Sequence, residues 1–280
     1  MKRFISIVCI YFFCFLLIIL IPEEYKIITN AELEKDVPGE EVRAAVRSSK
    51  TKTNKKIRKL IIGDSTGHSL YPSEKTYDGV VSFACNQAIT MAGHYFLLKN
   101  YLETNNENLP NEIIILFTPE TFGNDVDMFA YQYFLKPFPI LEYKSLYTKH
   151  LFDRIKSIPI FWTANLPFIQ TSGYTPRIAV PANEERENLS ELSAEYLLKI
   201  DSISKRYNVP YKMLSTPVRD DCKELTERRI EDLHRGCPEQ LVQQMNAYIQ
   251  SIPYYPSELF FDHVHLKNSE TPEDYLELLQ

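Results

Sequence analysis

Hydrophobic positions follow three successive rhythms along this chain. Phe4 to Ile21 is an uncharged apolar run, Glu23 to Lys56 is charge-rich with little to bury, and from Ile57 onward short apolar runs alternate with stretches of helical period. Lys59-Leu60-Ile61-Ile62, Gly79 to Phe83, Glu112 to Phe117 and Pro210 to Ser215 are short enough, and sufficiently bounded by turn residues, to predict strands. Met91 to Glu103 predicts a helix, as does Ser190 to Tyr207 behind Leu192, Tyr196, Leu197 and Ile200. Helical period returns between Cys222 and Ile252. A last helix is expected to begin at Thr271-Pro272-Glu273-Asp274, with an N-cap, a first-turn proline and an acidic third position. Strands alternating with helices predict an α/β domain with a parallel sheet over residues 57–280.

The stretch from Phe122 to Ile178 breaks this rhythm. It is crowded with Phe, Tyr and Pro and keeps no sustained period, so it reads as a long insertion that can act as a lid. Aromatic side chains of such a segment either fill a core or stack on sugar rings, and core filling is the commoner use.

Residues 1–22 read as a transmembrane signal-anchor. Lys2 and Arg3 precede the apolar run and Glu23-Glu24 follow it. At about 1.5 Å per helical residue the run matches a bilayer core of about 30 Å. Ile19-Leu20-Ile21-Pro22 offers no small-residue cleavage site, which favours an uncleaved anchor, and the flanking charges favour a cytoplasmic N-terminus with the domain outside. Residues 23–56, ending in the basic cluster Arg47 to Lys56, read as a flexible, solvated stalk.

With 280 residues and 44% hydrophobic residues the chain can build one sizeable core. A formal charge of −6 without a concentrated basic face argues against a nucleic-acid partner. Outside the cytoplasm disulfides persist. Cys9 and Cys14 lie in the apolar run and Cys85 among apolar neighbours. Cys222 and Cys237 are near enough in sequence to close a small loop, so a bridge between them and two free thiols both remain open.

The candidate chemistry lies at the two ends of the domain. Gly63-Asp64-Ser65 directly follows the first predicted strand, and Asp262-His263-Val264-His265 precedes the last predicted helix. A strand running into a tight turn places a hydroxyl at the C-terminal edge of a sheet, where open α/β folds keep their sites. A serine hydroxyl needs a base within hydrogen-bond reach and a third group to orient that base, and His265 and Asp262 can be those two. Ser65 can instead merely cap the following helix. His68, three residues beyond Ser65, is a competing base for which the local sequence identifies no carboxylate orienter. Asp262, His263 and His265 can also be read as metal ligands, although nothing completes the set and a metal gives no reason for Gly-Asp-Ser.

On these two motifs, in these positions, residues 57–280 resemble the SGNH hydrolases, also called the GDSL family. The family's first block carries the serine and its last block carries Asp-x-x-His. Asn86-Gln87-Ala88-Ile89-Thr90 with Ala92-Gly93 is similar to the second block, and Ile113 to Phe117 with Thr118-Pro119-Glu120 to the third strand. The family usually has Gly-x-Asn-Asp straight after that strand, whereas Gly123-Asn124-Asp125 arrives several residues later and without the spacer. Within the superfamily the chain looks most like membrane-anchored surface proteins such as the D-alanyl transfer protein and the alginate acetylation proteins.

The resemblance implies a three-layer α/β/α sandwich of flavodoxin-like type. It implies Ser65, His265 and Asp262 as the catalytic set, with Gly93, Asn86 and Asn124 as candidate oxyanion or substrate-binding residues. It implies an extracytoplasmic serine esterase or O-acyltransferase acting on acyl groups, with acetyl the best guess, of cell-surface carbohydrate. No cofactor and no metal are called for, and the partners implied are the acylated carbohydrate, the membrane and a membrane acyl-donor protein. The rival is a catalytically silent relative that binds or scaffolds envelope polysaccharide.

Overall fold

The computed structural model describes residues 2–20, 39–126, 131–158 and 189–267, with Pro272 and Tyr275. In chain order the elements are α1 (Lys2–Leu20), α2 (Glu40–Ser49), β1 (Lys59–Gly63), α3 (Ser65–Leu70), β2 (Val80–Ser82), α4 (Thr90–Thr104) and β3 (Glu112–Phe117). Then come α5 (Ile140–Tyr143), α6 (Lys149–Ser157), α7 (Glu191–Tyr207), β4 (Tyr211–Ser215), β5 (Val218–Arg219), α8 (Lys223–Gly236), α9 (Val242–Gln250) and β6 (Tyr254–Tyr255).

β1 to β4 form one parallel sheet in the order β2-β1-β3-β4. The connection from β1 runs outward to β2 and the chain then returns to place β3 on the other flank of β1. The crevice above the C-terminal ends of β1 and β3 is therefore the point where strand order reverses. Parallel strands are buried on both faces, which is why Leu60-Ile61-Ile62 and Ile113 to Phe117 are unbroken apolar runs. Alternate side chains go to opposite layers. Leu60, Ile62, Ile113, Ile115 and Phe117 join the large core with α2, α4, α7 and α9, whereas Ile61, Ile114 and Leu116 meet Leu70, Tyr71, Phe260, Leu266 and Tyr275. The fold is thus α/β with a parallel central sheet covered on both sides.

Several expectations change. Residues 39–56 are not stalk. α2 buries Val42, Ala45 and Val46 along one stripe against α4, and Lys52 pairs with Glu107 at 2.8 Å while Thr53 N–H donates to Asn105 Oδ1 at 2.8 Å. The apolar stripe keeps helical period, but it is short and set in a strongly polar segment, and that low overall hydrophobicity is what reads as a solvated spacer. Residues 23–38 lie outside the described residues.

The insertion also contributes to the core. Phe96 on α4 is ringed by Tyr95, Phe134, Phe138, Tyr143, Tyr147 and Tyr196 at centroid distances of 5.4–6.2 Å. The hydroxyls of Tyr147 and Tyr196 are satisfied by Phe138 O at 2.7 Å and Leu146 O at 2.8 Å. These aromatics of the insertion face protein, not solvent. Residues 127–130 and 159–178 of the expected insertion lie outside the described residues, as does most of the last helix expected from Thr271.

Cys222 and Cys237 are both free thiols and sit at the two ends of α8. A helix of 14 residues holds its ends about 20 Å apart, far beyond the reach of a disulfide. The helix between them is what the small-loop expectation missed.

α1 is a helix of 19 residues with exposed apolar side chains from Phe4 to Leu17. Among the described residues no helix is long and apolar enough to cross a membrane. Phe4 to Leu20 supplies about 25 Å of apolar rise against a hydrocarbon core of about 30 Å, and Ile21 lies outside the described residues.

Two measurements follow. Val42 is fully buried, so Val42→Asp is expected to lower stability by about 3 kcal/mol, a change that a solvated stalk would not show in urea unfolding. His94 on α4 is also fully buried, against the Phe117 ring at 4.8 Å, and neither ring nitrogen has a hydrogen-bond partner. Burial pushes its pKa down to about 3. The unfolded imidazole titrates near 6.5. Between these values the unfolded chain carries a proton that the native chain lacks. Stability contributed by His94 is therefore full above about 6.5 and falls by about 1.4 kcal/mol per pH unit on acidification through that window. His94→Met is expected to flatten this acid limb in urea melts taken from pH 7 to 4.

Candidate active site

β1 delivers the serine because two glycines let the sheet and α3 close up. A Cβ on Gly63 would lie 2.7 Å from Ala84 Cβ, and one on Gly67 would lie 2.8 Å from Leu116 O. Between them Asp64 caps α3. Its buried carboxylate accepts from Thr66 N and Gly67 N at 2.9 Å each and from Thr66 Oγ1 at 2.5 Å through one oxygen. The other oxygen accepts from Thr118 N at 2.7 Å and Thr121 Oγ1 at 2.6 Å. Five donors stabilise one charge in a dry place. They also tie the β1 turn to the exit of β3. Asp64 was visible in sequence only as part of a motif; its place directly before Ser-Thr-Gly is the N-cap signal that could have assigned it.

The histidine arrives on a closed loop. Phe260 bridges Leu266 in antiparallel fashion, Lys267 N–H donates to Leu259 O at 2.9 Å and Phe261 N–H to His265 O at 2.7 Å. Asp262 shapes the tip, its Oδ1 accepting from Val264 N at 2.9 Å and His265 N at 2.7 Å. Its Oδ2 meets His265 Nδ1 at 2.8 Å, and His265 Nε2 meets Ser65 Oγ at 3.0 Å. Residues 200 positions apart thus form one hydrogen-bonded relay. The Asp262 side chain is fully buried, whereas His265 is 20% exposed, so the imidazole faces the crevice and the carboxylate does not. Chemically, the imidazole can take the Ser65 proton through Nε2 while Nδ1–H stays on Asp262.

The competing histidines lie elsewhere. His68 Nε2 pairs with Glu74 Oε2 at 3.0 Å, so it has a carboxylate partner that local sequence did not reveal, but the serine hydroxyl is bonded to His265. His263 Nε2 is 3.8 Å from Glu120 Oε2. Among the described residues no group of three or more His, Cys, Asp and Glu side chains is arranged to hold a metal ion.

The three candidate donor residues separate. Gly93 lies inside α4, where an added Cβ would be 2.7 Å from Ile89 Cβ and 3.0 Å from Phe138. Its lack of a side chain serves this packing inside the helix. The glycine-like backbone in this turn belongs to Thr90 instead, with φ 56° and ψ 176°, a region nearly reserved for glycine. Thr90 N–H is already bonded to Gln87 O.

Asn86 follows β2 and caps the next turn, Oδ1 accepting from Ala88 N at 2.9 Å. Cys85 N–H bonds Gly63 O at 3.0 Å, which puts Asn86 alongside the Asp64-Ser65 turn. Glu41 of α2 lies close to it, its pKa raised above the usual carboxylate range chiefly by burial. Glu41 was not singled out in sequence because α2 was not. Asn124 follows a 3₁₀ turn (Pro119–Gly123) after β3; its carbonyl accepts from Ser190 Oγ at 2.9 Å, and its buried Nδ2 has no hydrogen-bond partner.

No family model matches the chain, and neither a curated protein nor a solved structure matches it.

Because Asp64 holds five donors together, Asp64→Ala is expected to cost at least about 3 kcal/mol, read as a lower urea midpoint at neutral pH.

Proposed function

We propose that the chain is an extracytoplasmic serine esterase or O-acyltransferase of SGNH type that forms an acyl-serine on Ser65. The observation that carries this reading is the unbroken relay from Ser65 Oγ through His265 to buried Asp262. In the proposed cycle Ser65 Oγ attacks the ester carbonyl and His265 Nε2 accepts its proton. The imidazolium that results is stabilised by Asp262. The same proton then passes to the departing alcohol as the tetrahedral intermediate collapses. A second hydroxyl, from water or a carbohydrate, repeats the steps in reverse.

The negative oxygen of the intermediate needs donors. Those proposed are Ser65 N–H, in the first turn of α3, and Asn124 Nδ2, whose lack of a partner leaves it ready to donate. The acyl group is proposed to be acetyl and the acceptor or donor a surface polysaccharide, both from the family resemblance. The flavodoxin-like assignment is supported by the strand order, and a membrane anchor by the exposed apolar surface of α1; the outward-facing domain and the membrane acyl-donor protein are proposed from the flanking charges and the family resemblance. A silent glycan-binding role gives no reason to aim a fully buried carboxylate at an imidazole.

A fluorophosphonate probe tests the chemistry. The full chain is expected to label stoichiometrically, Ser65→Ala not at all, and His265→Ala at least 100-fold more slowly. Labelling that survives Ser65→Ala would overturn the proposed nucleophile. Asn124→Ala is expected to lower kcat on an activated acetyl ester by about 10²–10³ with little change in KM.

A further inference from the structure

We infer that Arg219 is a positioning residue for the Asp262–His265 pair, acting through the Asp262 main chain. This rests on the relay proposed above and extends it to a residue that neither motif contains. Arg219 closes β5, and β5 pairs in parallel with β6, placing Arg219 opposite Tyr255. β6 leads within a few residues into the loop that carries Asp262 and His265. The guanidinium spans the gap directly: Nη1 donates to Asp262 O at 3.2 Å. Its other edge is held by Asp221, with Nε donating to Oδ1 at 2.9 Å and Nη2 to Oδ2. The Arg219 side chain is 9% exposed and its bond to the buried Asp262 is sheltered, whereas Asp221, 39% exposed, holds the outer edge of the guanidinium at the surface.

The division of labour follows from the atoms. Asp262 uses both carboxylate oxygens inside the loop, one on the main-chain N–H groups of Val264 and His265 and one on the imidazole. Those bonds fix the loop against itself but not against the sheet that carries Ser65. The Arg219 bond to the Asp262 carbonyl ties the loop tip to β5, which belongs to a separate two-stranded sheet but follows directly on β4 of the main sheet, and Asp221 fixes the direction in which the guanidinium points. A planar fork engaged on two edges transmits position in a way a lysine ammonium cannot. Misplacing a catalytic group by about 1 Å can cost about 10²-fold in rate, so the clamp need shift His265 only slightly to be felt.

The test uses the full chain as wild type, Arg219→Met, Arg219→Lys and Asp221→Asn, with three readouts. One is thermal unfolding, one is the fluorophosphonate labelling rate, and the third is the low-field proton NMR signal of His265 Nδ1–H on Asp262 in protein labelled with 15N-histidine. Arg219→Met is expected to melt cooperatively, to lose or strongly broaden that signal, and to label at least 10-fold more slowly, with both readouts partly restored by added guanidinium. Arg219→Lys is expected to recover neither fully. Asp221→Asn keeps the guanidinium but loosens its aim, and is expected to slow labelling by a few-fold; it supplies the test if Arg219→Met does not fold.

A signal and labelling rate within twofold of wild type in both Arg219→Met and Asp221→Asn would overturn the inference. Loss of both that guanidinium does not restore, with a collapsed melting transition in both variants, would make Arg219 a residue of the fold alone and overturn it too. If wild type shows the His265 signal but no labelling, the acyl-serine reading fails while the clamp is still judged by the signal. Wild type showing no such signal would overturn the clamp directly.

Discussion

One buried carboxylate sets the geometry on which the site depends. Asp64 gathers donors from the first turn of α3 and from the segment leaving β3, and by doing so holds the β1–α3 turn at the reversal point of the sheet. A fully buried charge is tolerable only when nearly every lone pair is used. The serine is therefore presented from a turn with little freedom to move, and the imidazole is brought to it by a loop that is itself closed by main-chain bonds. Each of the two halves is locally determined. Their meeting depends on Ile61, Ile114 and Leu116 packing against Phe260 and Leu266 across the small face of the sheet.

Much of this was legible in sequence. Unbroken apolar runs gave β1 and β3 to within a residue because parallel strands are buried on both faces and turn residues bound them. Ser65, Asp262 and His265 were legible as a set because a hydroxyl at a strand end and a carboxylate three residues from an imidazole in a loop are placed to hydrogen-bond in series. What was not legible depends on distant or weak signals. Arg219 lies in a two-residue strand 43 positions before the carbonyl it binds, so no local pattern connects them. Gly93 carries the residue type expected of a donor, yet its lack of a side chain serves the contact with Ile89 and Phe138. The backbone that a glycine would adopt easily is adopted by Thr90, whose identity predicts the opposite.

The aromatic insertion shows the same limit from another side. Composition alone could not decide between sugar stacking and core filling, because both use flat apolar rings. Phe96 decides it, since a single ring on α4 needs neighbours from every direction and Phe134, Phe138, Tyr143 and Tyr147 provide most of them. Phe96 thereby converts an apparent appendage into part of the layer that covers the sheet.

The docking of α2 alters the mechanics of any tether. If α1 is held at a bilayer, the covalent leash to the folded body is not the 34 residues of a stalk spanning 23–56 but the 19 residues, 21–39, between Leu20 and Glu40. Fully drawn out, such a leash reaches about 70 Å, against about 120 Å for the longer one. Any chemistry at Ser65 would then be confined to a shallow zone next to the lipid surface, and whatever Ser65 meets would have to come within that radius.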